Sequence, residues 1–217
     1  ETSYNHDQEV KNNVKNDQVK KDEVVVIPDM EYIGQFAGTY LIWQNEEGLY
    51  LLDQHAAAER VRYERYLSKW LKKDLETNEL LLPLKIEISN DLLIRLIDHE
   101  TEFLDFGVDL EIKDNFVLVK KIPNWFPEGY EEIYIESMIM SLLENDFTSK
   151  ESLIDDLAKL LACKHSLKAN HYISSLEANQ LLSDLRKCKR PYTCPHGRPI
   201  IVDINMNTIE HWFNRVI

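Results

Sequence analysis

A chain of 217 residues, 44% of them hydrophobic, is long enough to bury one large core or two small ones. Its longest apolar stretches, such as residues 80–84, are far too short to cross a bilayer, and its polar N-terminus lacks the apolar block of a signal peptide. A formal net charge of −13 works against the phosphate neutralisation that supplies most non-specific DNA affinity, so this chain alone should hold duplex weakly. Three cysteines, an odd number with Cys163 and Cys194 beside other potential ligands, fit a reducing, cytoplasmic setting better than a disulfide framework.

Residues 1 to about 24 mix Asn, Lys, Asp, Glu and Gln with almost no large apolar side chains, too little to offset the entropy of ordering them. They are expected to be disordered, as a linker drawn at 1–30 behind an upstream domain or, alternatively, as a leader added for expression. From Tyr32 the pattern becomes globular. Residues 38–44 and 49–53 read as two strands joined by the turn Asn45-Glu46-Glu47-Gly48. Residues 56–73 are Ala-rich at first, then carry Val61, Tyr66, Leu67 and Trp70 as a helical stripe. Strict alternation predicts a strand over 83–89, followed by a helix over 90–105, a hairpin over 108–112 and 116–121, and a helix over 131–143. Capping-box patterns open helices at Thr148 and Ser174, running to about Lys164 and Lys187. A strand over 200–204 and a short helix over 208–213 complete an α+β pattern.

Asp53 falls where a strand ends and a helix begins. His55 and Glu59, four apart, share a helix face and can converge on one ion, which Asp53 can reach from the strand end. The structural alternative is an N-capping Asp beside a surface His–Glu pair. Downstream, Cys194-Pro195-His196-Gly197-Arg198-Pro199 puts a thiolate and an imidazole on one side of a tight segment. A site mixing carboxylate with Cys and His suits zinc and is more often reactive than purely structural. Cys163, near a helix end, is either a further ligand or a buried thiol. Glu64 turns half a revolution from His55 and reads as a partner of Arg60, a supporting residue. Arg198 can pair with a ligand carboxylate or with a phosphate.

Asp53-Gln54-His55-Ala56 followed by Glu59 resembles the endonuclease motif of the MutL family of DNA mismatch repair proteins. Gln35-Phe36, the Cys163 segment (Ala162 to Asn170) and the hexapeptide at Cys194 match further signatures of that family, in order, over 33–217. The resemblance implies a bacterial, metal-dependent endonuclease that nicks one strand of duplex DNA and forms a homodimer. Metal ligands would be Asp53, His55, Glu59, Cys163, Cys194 and His196, with Asp53 and Glu59 catalytic. Zn²⁺ would shape the site, Mn²⁺ would support cutting, and ATP would bind only through an upstream domain. The family pattern also implies a dimerisation subdomain of residues 31–83 plus 161–217, with an inserted, external α+β regulatory subdomain of residues 84–160. Partners would be the mismatch-recognition protein MutS and the replicative sliding clamp. Clamp contact would fall on Asn78, Leu81 and Pro83 within Asn78-Glu79-Leu80-Leu81-Leu82-Pro83, where Asn replaces the family's Gln. The rival reading is a non-catalytic, zinc-stabilised dimerisation and clamp-docking scaffold.

Overall fold

Strand pairing divides the protein into two antiparallel sheets. The computed structural model describes residues 26–73, 75–144, 149–164 and 171–215. The first sheet holds β1 (Glu31–Phe36), β2 (Tyr40–Asn45), β3 (Gly48–Asp53) and the last strand, β7 (Ile201–Asn205), in that spatial order. The second holds β4 (Thr77–Glu87), β6 (Phe116–Pro123) and β5 (Asp109–Ile112), with β6 central. Among the described residues the helices are α1 (Gln54–Leu71), α2 (Asn90–Leu96), α3 (Glu100–Asp105), α4 (Glu131–Glu144), α5 (Lys150–Lys164), α6 (Ser175–Arg186) and α7 (Met206–Trp212). This is the α+β class that the sequence predicts. Among the described residues, no helix is long and apolar enough to cross a membrane.

Helix α1 belongs to both cores. Its first turns bury Ala56 and Ala57 with Leu41, Trp43, Leu52 and Leu182, between the first sheet and α6. Its last turns bury Tyr66 and Trp70 with Phe106, Trp125, Tyr134 and Leu157, beneath the second sheet. The small alanines let the helix lie close at one end, and the aromatic residues fill space at the other. Anything fixed to the middle of α1 therefore has packed structure on both sides.

Gly48 is required by close approach. At φ +155° it pairs with Asn205, and a Cβ there would meet the Ile204 carbonyl oxygen at 2.2 Å. That contact seats β7 against β3 in the register Leu52↔Ile201.

Several elements differ from the sequence pattern. Strand β1 was not anticipated: Gly34 breaks the alternation, and the pairing with β2 shifts between Tyr32 and Gly34. Strand β4 begins at Thr77 rather than residue 83, so Asn78 to Pro83 lies inside a strand that crosses the expected subdomain boundary at 83. Its register with β6 breaks between Glu79 and Leu84, a bulge that hid the strand from a period-two pattern. The helix expected over 90–105 is two helices joined by a 3₁₀ turn, residues 97–99. Within the expected 1–30 linker, Ile27 is buried and Pro28 accepts a hydrogen bond from Arg186, so packing begins before residue 31. The capping box at Ser174 is present in full. Thr148 lies outside the described residues, and the neighbouring Ser149 hydroxyl accepts the Ser152 amide.

Candidate metal centre

The Asp53 backbone ties the two motifs together. Its amide donates to the Ile200 carbonyl at 2.9 Å, just beyond the hexapeptide, while its Oδ1 accepts the amides of His55 at 2.9 Å and Ala56 at 3.0 Å. Asp53 thus caps α1 as the structural alternative anticipates, and neither cap bond uses Oδ2. Gln54 turns away from the site. Its side-chain oxygen accepts from Gln35 at 2.7 Å, and both amide groups donate to the His171 carbonyl.

One turn into α1, Glu59 is 1% exposed and is the centre of the cluster. Its Oε1 accepts from the Cys163 thiol on α5 at 2.9 Å and lies 3.6 Å from His55 Nε2. Its Oε2 lies 3.6 Å from His196 Nδ1 and 3.0 Å from the Arg198 guanidinium. Donor atoms of Glu59, Cys194 and His196 all lie within 4.8 Å of one another. Cys194 is buried and His196 is 43% exposed, so the trio is closed on the protein side and open to solvent through the imidazole.

The hexapeptide reaches this point by a tight turn. The Gly197 amide donates to the Cys194 carbonyl at 3.0 Å, the Arg198 amide reaches Cys194 Sγ at 3.3 Å, and the Cys194 amide bonds the Arg198 carbonyl at 2.8 Å. Gly197 sits at φ +87°, a region that L side chains rarely adopt. The turn points Sγ and the imidazole back toward Glu59.

Of the six expected ligands, five therefore meet around one carboxylate, either in the trio or touching Glu59. Asp53 is engaged in the cap instead. Cys163 has its thiol pushed up to about 11, first by burial and then by the Glu59 carboxylate it donates to. Its neighbours 165–170, part of the expected signature, lie outside the described residues. Arg198 takes the carboxylate option. Glu64 does more than pair with Arg60 at 3.5 Å: it accepts the amides of Lys189 and Arg190. Arg60 in turn donates to the Thr193 carbonyl at 2.6 Å. This buttress beneath the hexapeptide was missed in the sequence, because nothing in residue spacing announces a side-chain bond to a distant backbone amide.

Buried carboxylate, thiol and solvent-facing imidazole at a strand–helix junction define an α+β domain with a candidate transition-metal centre. The family profile described as MutL C terminal dimerisation domain matches residues 33–173, and the chain belongs to that family. Among similar curated proteins, the DNA mismatch repair protein MutL of Staphylococcus saprophyticus is 40% identical over 200 residues, covering 92% of this chain and 30% of that protein. Its namesakes from Shouchella clausii and Listeria welshimeri are 38% and 40% identical over 192 residues, each covering 88% of this chain and 29% or 32% of their own lengths. The chain thus spans roughly a third of the curated relatives it matches.

Proposed function

We propose that this chain is the metal-dependent endonuclease and homodimerisation region of a MutL-type mismatch repair protein, nicking one strand of duplex DNA. The observation that carries this is the convergence of Glu59, Cys194 and His196, drawn from distant parts of the chain, on one small volume. A purely structural network would rarely gather two thiols and two imidazoles around one buried carboxylate.

The donor set fits Zn²⁺: Cys194, His196 and Glu59 would hold it, with Cys163 and His55 within reach of the same carboxylate. Asp53, through the oxygen outside its cap, would serve the harder Mn²⁺. When bound, a divalent ion supplies a Lewis acid for a phosphoryl oxygen and lowers the pKa of its water. The protein does the rest. The α1 N-terminus fixes Asp53 where it can orient water, and Glu59 stays anchored between two cores. Arg198 neutralises that carboxylate and, once released from it, is placed to meet a phosphate oxygen.

In this reading, residues 31–83 plus 161–217 form the dimerisation and metal-site subdomain and 84–160 an external regulatory one. ATP, MutS and much of the DNA affinity belong to other parts of the protein, and the sliding clamp docks at Asn78 to Pro83. The test is nicking of supercoiled plasmid with Mn²⁺ at low salt, by this chain and within the full-length protein. Asp53→Asn and Glu59→Gln should each abolish nicking. Full-length protein that still nicks with both substitutions overturns the assigned site. Zinc-dependent folding without any cutting would favour the scaffold reading.

A further inference from the structure

Two grooves meet behind the loop that carries Cys194, and both invert the charge of the chain. One, of about 380 Å³, is lined by Arg60, Lys159, Lys189, Arg190 and Pro195. The other, of about 670 Å³, is lined by Arg65, Lys72, Lys187 and again Lys189. Together they present seven Lys and Arg side chains against three acidic ones, in a protein with 25 basic and 38 acidic residues.

The three acids are already engaged. Glu64 holds the amides of Lys189 and Arg190, Asp155 holds Lys159 and the Tyr63 hydroxyl, and Asp184 holds Lys187. Among the described residues, no ion pair holds the exposed side chains of Arg65, Lys72, Lys189 or Arg190. Four uncommitted cations thus line a continuous concave face. At one end that face stops at Pro195, between metal-site Cys194 and His196.

We infer that this face is the track for the phosphate backbone of duplex DNA, leading the strand to the metal cluster. The inference deepens the endonuclease reading and rests on it. Phosphates are the anions that a duplex presents one after another along a groove, and charge complementarity here runs against the sign of the whole molecule. The track explains how so acidic a domain can present DNA to its own centre. Glu64 fixes the loop by its backbone, so the Lys189 and Arg190 side chains are free for the ligand and can be replaced without breaking that support.

Fluorescence anisotropy of a short labelled duplex, titrated with this chain at several salt concentrations, reads the track directly. Lys189→Ala combined with Arg190→Ala should weaken binding about tenfold at low salt and lower the log–log salt slope by about two, since each phosphate contact contributes roughly 0.9. Lys85→Ala with Lys113→Ala makes the same change in net charge on the second sheet and should leave both quantities near their starting values. Glu59→Gln should abolish nicking yet keep the duplex affinity, which separates failure of the chemistry from failure of the track. Unchanged affinity and slope in the Lys189/Arg190 variant overturn the inference, as does an equal loss in the control pair or no binding by the wild-type chain at low salt. A polyglutamate peptide that binds more tightly than duplex, and is lost in the same variant, reassigns the face to an acidic protein partner.

Discussion

Glu64 holds the chain at Lys189. Its Oε2 accepts that residue's amide at 2.7 Å, and its Oε1 takes the next amide, of Arg190, at 3.2 Å. Two short bonds from α1 thereby set the path of the segment that ends in Cys194 and His196, without Glu64 touching any ligand. Groups bonded directly to a metal ligand, removed, typically cost about ten- to a hundredfold in metal affinity; Glu64 stands one step further out, so a loss of about tenfold, the low end of that range, is expected here. Glu64→Ala should weaken zinc binding by that factor in competition with a chelating dye, and Glu64→Gln, which keeps one acceptor oxygen, should lie between it and the parent. Equal zinc affinity in all three proteins would show that the loop holds its own shape.

Asp53 has an observed role as N-cap and a proposed one at the metal, and substitution can separate the two. As an N-cap it uses Oδ1 alone, and Asn serves that role about as well as Asp. Asp53→Asn should therefore leave the thermal midpoint nearly unchanged while removing Mn²⁺-dependent nicking. Asp53→Ala should remove nicking and also cost about 1 kcal/mol of stability. If Asp53→Asn retains full nicking, the residue is a cap and nothing more.

These two residues mark how far the sequence could be followed. Asp53, His55 and Glu59 were legible because a strand–helix junction and a four-residue helical spacing are local facts. Cys194 and His196 were legible as a pair, but their meeting with Glu59 depends on β7 lying beside β3, a pairing no local pattern encodes. Family resemblance supplied that link. The Glu64 buttress and the Arg60–Thr193 bond stayed hidden because each joins a side chain to a remote backbone group. Strands β1 and β4 were lost or shortened for a different reason: both carry a register shift, and a bulge defeats the alternation by which strands are recognised.

The bulge in β4 has a functional expectation attached. Leu81 and Leu82 are 101% and 85% exposed, on an edge strand whose register breaks there. Adjacent exposed leucines followed by Pro83 offer a partner an apolar plug on a strand that cannot extend its sheet past the proline. Leu81→Ala with Pro83→Ala should weaken binding to the replicative clamp at least tenfold in surface plasmon resonance, allowing about 1.4 kcal/mol for the loss, with the circular dichroism spectrum preserved. Clamp affinity equal to that of the parent discards this docking site.

The first sheet has an apolar outer face. Opposite α1 and α6, the row Gly34–Ile42–Leu51–Val202 crosses all four strands in register, and Phe36 and Tyr40 lie exposed beside it. Helix α7 and its end also expose two large aromatic side chains, Trp212 and Phe213. In a family described by dimerisation, a second copy is the expected cover for such a face. Ile42→Arg with Val202→Glu should turn a dimer into a monomer in sedimentation velocity without altering the secondary-structure spectrum. A variant that remains dimeric places the interface elsewhere.

Alkaline pH probes the support under the hexapeptide. The Cys188 thiol, half-buried, is pushed up to about 12, chiefly by burial and next by the negative charge of Glu64, with Arg60 opposing. The folded protein therefore holds this proton more tightly than the unfolded chain, whose thiol titrates near the ordinary 9.0. Its contribution to stability is fully present below that value and is lost as the pH rises from 9 toward 12. Cys163, raised to about 11, and Tyr63, raised to about 12, act in the same direction, so the metal-free protein should lose thermal stability over that range. Cys188→Ala removes one of the three protons. Its melting temperature should start lower at neutral pH, because a packed side chain is truncated, but fall less steeply above pH 9 than that of the parent. Parallel curves for the two proteins would mean that the thiol ionises in the folded state as readily as in the unfolded one, and that Glu64 exerts its effect on the loop without charging the space around Cys188.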